Sequence, residues 1–174
     1  MQFGCSDEAG PGRAPGGGSK WLQVVLFEPE IAANTGAIGR TCLALDVRLW
    51  LVRPLGFRLD EKNVRRAGLD YWREVDVRVV DDYEAALAQS GATRIWLMTT
   101  KATRIHWDAN FESGDLLVFG PESRGLPPSI LESQESDQRL RIPMRPETRS
   151  LNLANAATVV MYEAARQLRT ITGF

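Results

Sequence analysis

The sequence predicts an α/β fold with one parallel sheet and helices on both of its faces. Three observations predict it. Short apolar runs recur along the 174 residues and alternate with segments of helical periodicity. Most runs are apolar at nearly every position, as strands covered on both faces are. Two of them, Leu116–Phe119 and Leu140–Met144, lead straight into loops dense in Gly, Pro, Ser, Arg and Glu. Ligands of open α/β sheets sit where loops leave the carboxyl ends of strands. The stretch from Leu116 to Arg166 is therefore expected to build the site.

The elements follow in order. Residues 1–19 are mostly Gly, Pro, Ala and polar, cannot repay the entropy of ordering, and read as a tail before a single domain over 20–174. Trp21–Phe27 is the first strand. Asn34 is placed as the N-cap of a helix over Thr35–Leu45, with Ile38, Cys42 and Leu45 on its apolar side. Gly36 and Gly39 each weaken that helix by about 1 kcal/mol relative to Ala. Such glycines permit close approach of another backbone or a ligand. Val47–Val52 is the second strand, and Pro54–Arg66 a loop with a short helix. Val75–Val80 is the third strand, Tyr83–Gln89 a short helix, and Arg94–Thr99 the fourth strand, ending in the polar turn Thr100–Lys101. Leu116–Phe119 is the fifth strand. Pro127–Glu132 is a short helix with proline at a tolerated early position. Leu140–Met144 is the sixth strand. The last helix runs from about Asn152 to Arg169 with Ser150 placed to cap it. Leu153, Ala156, Ala157, Val160, Met161, Ala164 and Leu168 form its apolar stripe. Asn155, Thr158, Tyr162 and Arg166 lie off that stripe, a face compatible with a subunit interface.

Composition excludes several classes. The net charge of −1 argues against nonspecific coating of nucleic acid. The charges are nevertheless clustered. Arg139, Arg141, Arg145 and Arg149 face only Glu147, and Arg53, Arg58, Lys62, Arg65, Arg66 and Arg73 outnumber Asp60, Glu61 and Asp70. Both clusters suit phosphates. The two cysteines, Cys5 and Cys42, make no disulfide framework, and Cys42 reads as a buried thiol. The only histidine, His106, sits among loop-like neighbours and reads as a surface residue; two-histidine metal motifs are impossible. No apolar run is long enough for a membrane span and no secretory signal is visible, so a cytoplasmic protein without membrane or metal is expected. There is no GxGxxG after a strand, no GxxxxGK[ST] and no GxSxG, which leaves dehydrogenases, P-loop NTPases and serine hydrolases without support. What remains is a pocket of backbone amides, Ser, Thr and Asn groups, Glu122 and arginines, suited to a polar organic cofactor and a phosphorylated substrate.

Three segments then stand out: Asn34 to Arg40 (NTGAIGR), Phe119 to Pro127 (FGPESRGLP) and Ile142 to Ala156 (IPMRPETRSLNLANA). Together with EPEIAANTG, RRAGLDYW and MTTK they resemble the SpoU branch of the SPOUT RNA methyltransferases over about residues 22–168. The match is nearest to the short members that methylate the wobble ribose of tRNA. The resemblance implies a Rossmann-like sheet with a C-terminal deep trefoil knot, S-adenosylmethionine as cofactor, S-adenosylhomocysteine as product, and a homodimer with the site at its interface. Carried over by position, Met98, Thr100, Gly120, Glu122, Ile142, Ser150 and Leu151 wall the cofactor. Main-chain groups of Met98, Gly120 and Ile142 hold its adenosine. Arg40, Asn34, Glu122, Ser150 and Asn152 form the catalytic set, with Arg40 at its centre. A guanidinium is effectively always protonated, so a phosphate clamp that lowers the pKa of the attacking hydroxyl is an alternative to a base. Without an appended RNA-binding module, the anticodon stem-loop falls to Lys101, Arg65, Arg66, Arg124, Arg145 and Arg149. Relatives often carry Pro-Pro where this chain has Ala32-Ala33, Asn at Ala37 and a larger apolar residue at Gly39, changes that loosen the start of the first helix. Methylation of another tRNA or rRNA ribose, and a non-catalytic knotted dimer that binds RNA or a nucleotide-like ligand, are the competing readings.

Overall fold

The computed structural model describes residues 20–58 and 70–168. The strands of its sheet are β1 (Leu22–Phe27), β2 (Arg48–Val52), β3 (Val77–Val80), β4 (Ile95–Met98), β5 (Arg104–Ile105), β6 (Asp115–Phe119) and β7 (Arg139–Arg141). All neighbours pair in parallel, in the order β3-β2-β1-β6-β4-β7-β5. The described helices are α1 (Ala32–Leu45), α2 (Tyr83–Ser90), α3 (Pro128–Leu131) and α4 (Leu153–Leu168). The expected class of fold is thus present. Strand order reverses beside β1, which pairs with β2 on one side and with the late strand β6 on the other.

Alternate side chains of the strands feed two cores, as the pleat requires. Leu22, Val24, Leu26, Leu49, Leu51, Leu117 and Phe119 pack with Ile38, Cys42 and Leu45 of α1 and with Ala157, Val160, Met161 and Ala164 of α4. Val25, Trp50, Val52, Leu116 and Val118 pack on the other side with Tyr83, Ala86 and Ile130. The α4 stripe therefore does what its periodicity demands. Cys42 is a buried free thiol, and burial pushes its pKa up.

Several boundaries differ from expectation. Helix α1 starts at Ala32 with Ile31 at its N-cap, so Asn34 lies inside the helix and does not cap it. The backbone just before the helix is held from a distant loop by Glu122, and the Asn34 side chain is used elsewhere. Ser150 does not cap α4 either. Asn152, two residues later, does so: its Oδ1 accepts from the backbone N–H groups of Ala154 (2.9 Å) and Asn155 (3.3 Å). β7 stops at Arg141, since Pro143 has no N–H to continue a ladder. A 3₁₀ turn, Asp70–Glu74, precedes β3, which starts at Val77. β5 was not foreseen; two residues carry no periodicity. His106 is buried at 4% exposure, not on the surface. It opens a 3₁₀ turn, His106–Asp108. Just beyond, Gln167 of α4 donates to the Ala109 carbonyl at 3.0 Å and accepts from Phe111 N–H at 3.0 Å. The tail 1–19, Cys5, Lys62, Arg65, Arg66, Arg169 and residues 59–66 of the expected loop and short helix over 54–66 lie outside the described residues.

Candidate active site

β6, β4 and β7 are adjacent, so their carboxyl ends bring Gly120, Met98 and Ile142 to one rim of the sheet. The Thr99 N–H donates to the Leu140 carbonyl at 2.9 Å, joining two of these ends. A Cβ on Gly120 would lie 2.3 Å from Leu126 N and 2.4 Å from the Gly125 carbonyl carbon. Gly125 itself adopts φ +70°, and its N–H donates to the Pro121 carbonyl at 2.9 Å. Glycine at 120 is therefore required by the closure of its own loop.

The three signature segments are joined by one chain of hydrogen bonds. The Glu122 carboxylate accepts from the backbone N–H of Glu30 (2.9 Å) and Ile31 (3.3 Å) and from Asn34 Nδ2 (2.9 Å). Asn34 Oδ1 accepts from Asn152 Nδ2 at 2.9 Å, and Asn152 caps α4. Glu30 returns the contact: its carboxylate accepts from the Ser123 N–H at 2.9 Å and the Ser123 hydroxyl at 2.6 Å. These bonds hold the Glu30 carboxyl below its usual pKa. Two carboxylates thus clasp each other's loops. Asn34 is buried at 8% exposure, so its amide needs both partners. The loosening expected from Ala32-Ala33 is offset here, because Asn34 is fixed from two sides.

Arg40 is exposed on α1, and its guanidinium carbon lies 4.3 Å from the centroid of the Tyr71 ring. Tyr71 donates its hydroxyl to the Gly36 carbonyl at 2.8 Å. A Cβ on Gly39 would meet the Trp72 ring at 2.5 Å, so Gly39 makes room for a neighbouring aromatic. Arg124 has another fate. It pairs with Glu28 and, at 3.3 Å, with Glu30. Glu28 has the left-handed φ of 47°, uncommon for a side-chain-bearing residue.

Met98, Ile142 and Glu122 are half-buried; Thr100, Lys101, Arg145, Arg149, Ser150 and Leu151 are exposed. Met98 and Ile142 pack against the core. Arg139 and Arg141, by contrast, are half-buried on β7, and Arg139 donates to the Gln134 carbonyl at 2.8 Å. The arginine cluster is therefore split. Sequence reasoning missed Glu30 and Tyr71. Their only signal lay in the matched segments EPEIAANTG and RRAGLDYW, where neither residue was singled out.

The donor set suits a nucleoside-bearing cofactor. Backbone groups at Met98, Gly120 and Ile142 stand beside half-buried apolar side chains and can read the edge of a base. The two Glu122 oxygens already accept three hydrogen bonds, which assigns that carboxylate chiefly to loop shape.

A parallel sheet carrying three cross-linked loops at one rim defines an α/β ligand-binding protein of the switch-point type. Comparison with known proteins makes the class specific: the chain belongs to the SpoU rRNA Methylase family, whose model matches residues 21–162. A protein of Saccharophagus degradans named tRNA (cytidine(34)-2'-O)-methyltransferase is 52% identical over 147 residues, covering 84% of this chain and 96% of the relative. A solved structure described as "Structural insights into the 2-OH methylation of C/U34 on tRNA" superposes with a TM-score of 0.79 at 45% identity, covering 88% of this chain and all of that one. The methyltransferase AviRb of Streptomyces viridochromogenes, solved in complex with the cofactor AdoMet, superposes with a TM-score of 0.74 at 27% identity over 90% of this chain and 60% of that one.

Proposed function

We propose that this protein is a cytoplasmic S-adenosylmethionine-dependent methyltransferase that modifies the ribose 2'-hydroxyl of nucleotide 34, a cytidine or modified uridine, of tRNA. The observation that carries the reading is the Glu122–Asn34–Asn152 chain, which ties all three signature segments together at the carboxyl ends of β1 and β6. Relatives of nearly the same length, matched over most of both chains, carry names for this activity.

The cofactor supplies an electrophilic methyl group. Met98, Gly120 and Ile142 hold its adenosine by main-chain groups, with Thr100, Ser150 and Leu151 as further walls. No covalent enzyme intermediate is needed, so the protein positions the hydroxyl and stabilises its developing charge. Arg40 serves as a protonated clamp on the adjoining phosphate and lowers the pKa of the attacking hydroxyl. Asn34, Asn152 and Glu122 hold the loops in register. Lys101, Arg145 and Arg149 contact the anticodon stem-loop, together with Arg65 and Arg66. Arg124 has a smaller part, because Glu28 and Glu30 already neutralise it.

The protein acts as a homodimer with a C-terminal trefoil knot. Val159 and Tyr162 are 41% and 48% exposed on one side of α4, and Leu151 and Ile31 are 39% and 47% exposed just before α4 and α1. Such a set of exposed apolar groups supports a second copy as its cover. Incubation with total tRNA and S-adenosylmethionine, followed by mapping of 2'-O-methylated nucleotides, tests the function. Methylation at position 34 is expected. Methylation only elsewhere in tRNA, or only in rRNA, overturns the substrate; absence of cofactor binding with and without tRNA overturns catalysis.

A further inference from the structure

We infer that Tyr71 is a positioning residue for Arg40, holding the guanidinium in place through its ring face; this rests on the catalytic role proposed for Arg40. The ring and the guanidinium are stacked at 4.3 Å. Among the described residues no carboxylate lies within ion-pair distance of Arg40, so none of them pairs with its charge while the ring limits its rotation. Arginine stacks well on aromatic faces because its cation is planar and weakly hydrated. The ring is itself fixed. Its hydroxyl donates to the Gly36 carbonyl at 2.8 Å, one turn before Arg40 on the same helix. The adjoining Trp72 fits into the space left at Gly39. The 3₁₀ turn Asp70–Glu74 thus grips α1 at two consecutive points, Gly36 and Gly39, and brings the phenol face under residue 40.

A flexible arginine must otherwise be ordered at each turnover, which costs side-chain entropy. Stacking removes part of that cost before the substrate arrives. It also leaves the outward N–H groups free for a phosphate. A carboxylate partner could order the side chain too, but would compete with that phosphate. Tyrosine orders the cation without neutralising it.

Three variants test this in the full-length protein: Tyr71→Leu, Tyr71→Phe and Arg40→Lys. Tyr71→Leu is expected to lower kcat about tenfold, equivalent to about 1.4 kcal/mol. The Kd for S-adenosylmethionine should stay within about twofold, because the contact is not with the cofactor walls. Tyr71→Phe retains the ring and loses no more than about threefold in kcat. In an Arg40→Lys background the further loss on Tyr71→Leu should shrink below about threefold, since the two residues act as a unit. Additive losses, or a Tyr71→Leu protein with wild-type kcat, overturn the inference. A second measurement does not depend on turnover. The Arg40 Nε–H resonance is expected to carry a ring-current shift in the wild type and in Tyr71→Phe and to lose it in Tyr71→Leu. An unchanged resonance across the three overturns the stacking even if Tyr71→Leu is too unstable for kinetics. A wild-type protein that methylates no tRNA, yet shows this shift, supports the clamp and overturns only the proposed reaction.

Discussion

β6 carries a carboxylate near each end, and the two do opposite work. Asp115 opens the strand, is 1% exposed, and takes its donors from the two chain segments beside it, β4 with its lead-in and the turn before β6: Trp96 Nε1 at 2.7 Å, the Glu112 N–H at 2.9 Å, and Arg94 Nε at 3.1 Å. Burial raises its pKa, against the pull of those hydrogen bonds. Glu122 lies three residues past the strand and collects donors from residues 30, 31 and 34, and through Asn34 it reaches Asn152. One carboxylate closes the amino edge of the sheet. The other organises three remote segments into a site. Equal numbers of hydrogen bonds therefore do not mean equal roles; the sequence distance of the donors separates scaffold from machinery.

Variants should separate the two ends. Arg40→Ala is expected to give the largest effect, a loss of methyl transfer of at least about a thousandfold, with cofactor affinity within about twofold of wild type. Single-turnover transfer to tRNA and calorimetric titration with the cofactor check it. Glu122→Ala should lower kcat/KM about a hundredfold while the fold persists, since loop displacement of about 1 Å is costly at a reacting centre. Asp115→Ala should do the reverse. Leaving the Trp96 and Glu112 donors unpaired costs about 1–3 kcal/mol each, enough to lower Tm by several degrees, whereas kcat at low temperature stays near wild type. Comparable activity losses in both variants would erase the distinction between the ends.

The smallest effect concerns pH. Burial lowers the His106 pKa below its usual 6.5, although the nearby Arg141 backbone and the charges of Glu163 and Asp108 pull the other way. The unfolded chain then binds the proton more readily than the folded one. Stability is full above about pH 6.5 and is lost as pH falls through the depressed folded value. Glu163, held down to about 2 mainly by its hydrogen bond from Arg166, adds a loss of the same sign below its usual 4.5. His106→Gln should flatten the fall of Tm between about pH 7 and about pH 5 without touching the more acidic part. An unchanged slope would remove His106 from the balance.

Much of this was legible in the residues. Two-sided burial made β1, β2, β4 and β6 readable as apolar runs, and the α4 stripe has a helical period with few interruptions. The candidate site was legible as three segments, but not as one network. Asn34 looks like a cap because caps are recognised locally, whereas its partners lie 88 and 118 residues away. Ser150 and Asn152 are both good caps two positions apart, and only geometry chooses between them. His106 is buried by α4 docking onto a segment with no periodicity of its own. Tyr71 looks like one more partly apolar residue until the ring is seen beneath a cation.

The sheet order carries a consequence for biosynthesis. β4 cannot join β1 directly, because β6 occupies the place between them, and β7 later separates β4 from β5. While the ribosome is still translating residues before 115, the β1 and β4 edges have no neighbours on that side. Unpaired edges of this kind invite association with other chains. The nascent polypeptide therefore passes through a vulnerable interval that ends only when its last third emerges, and expression at slow elongation rates should lengthen that interval and lower the soluble yield.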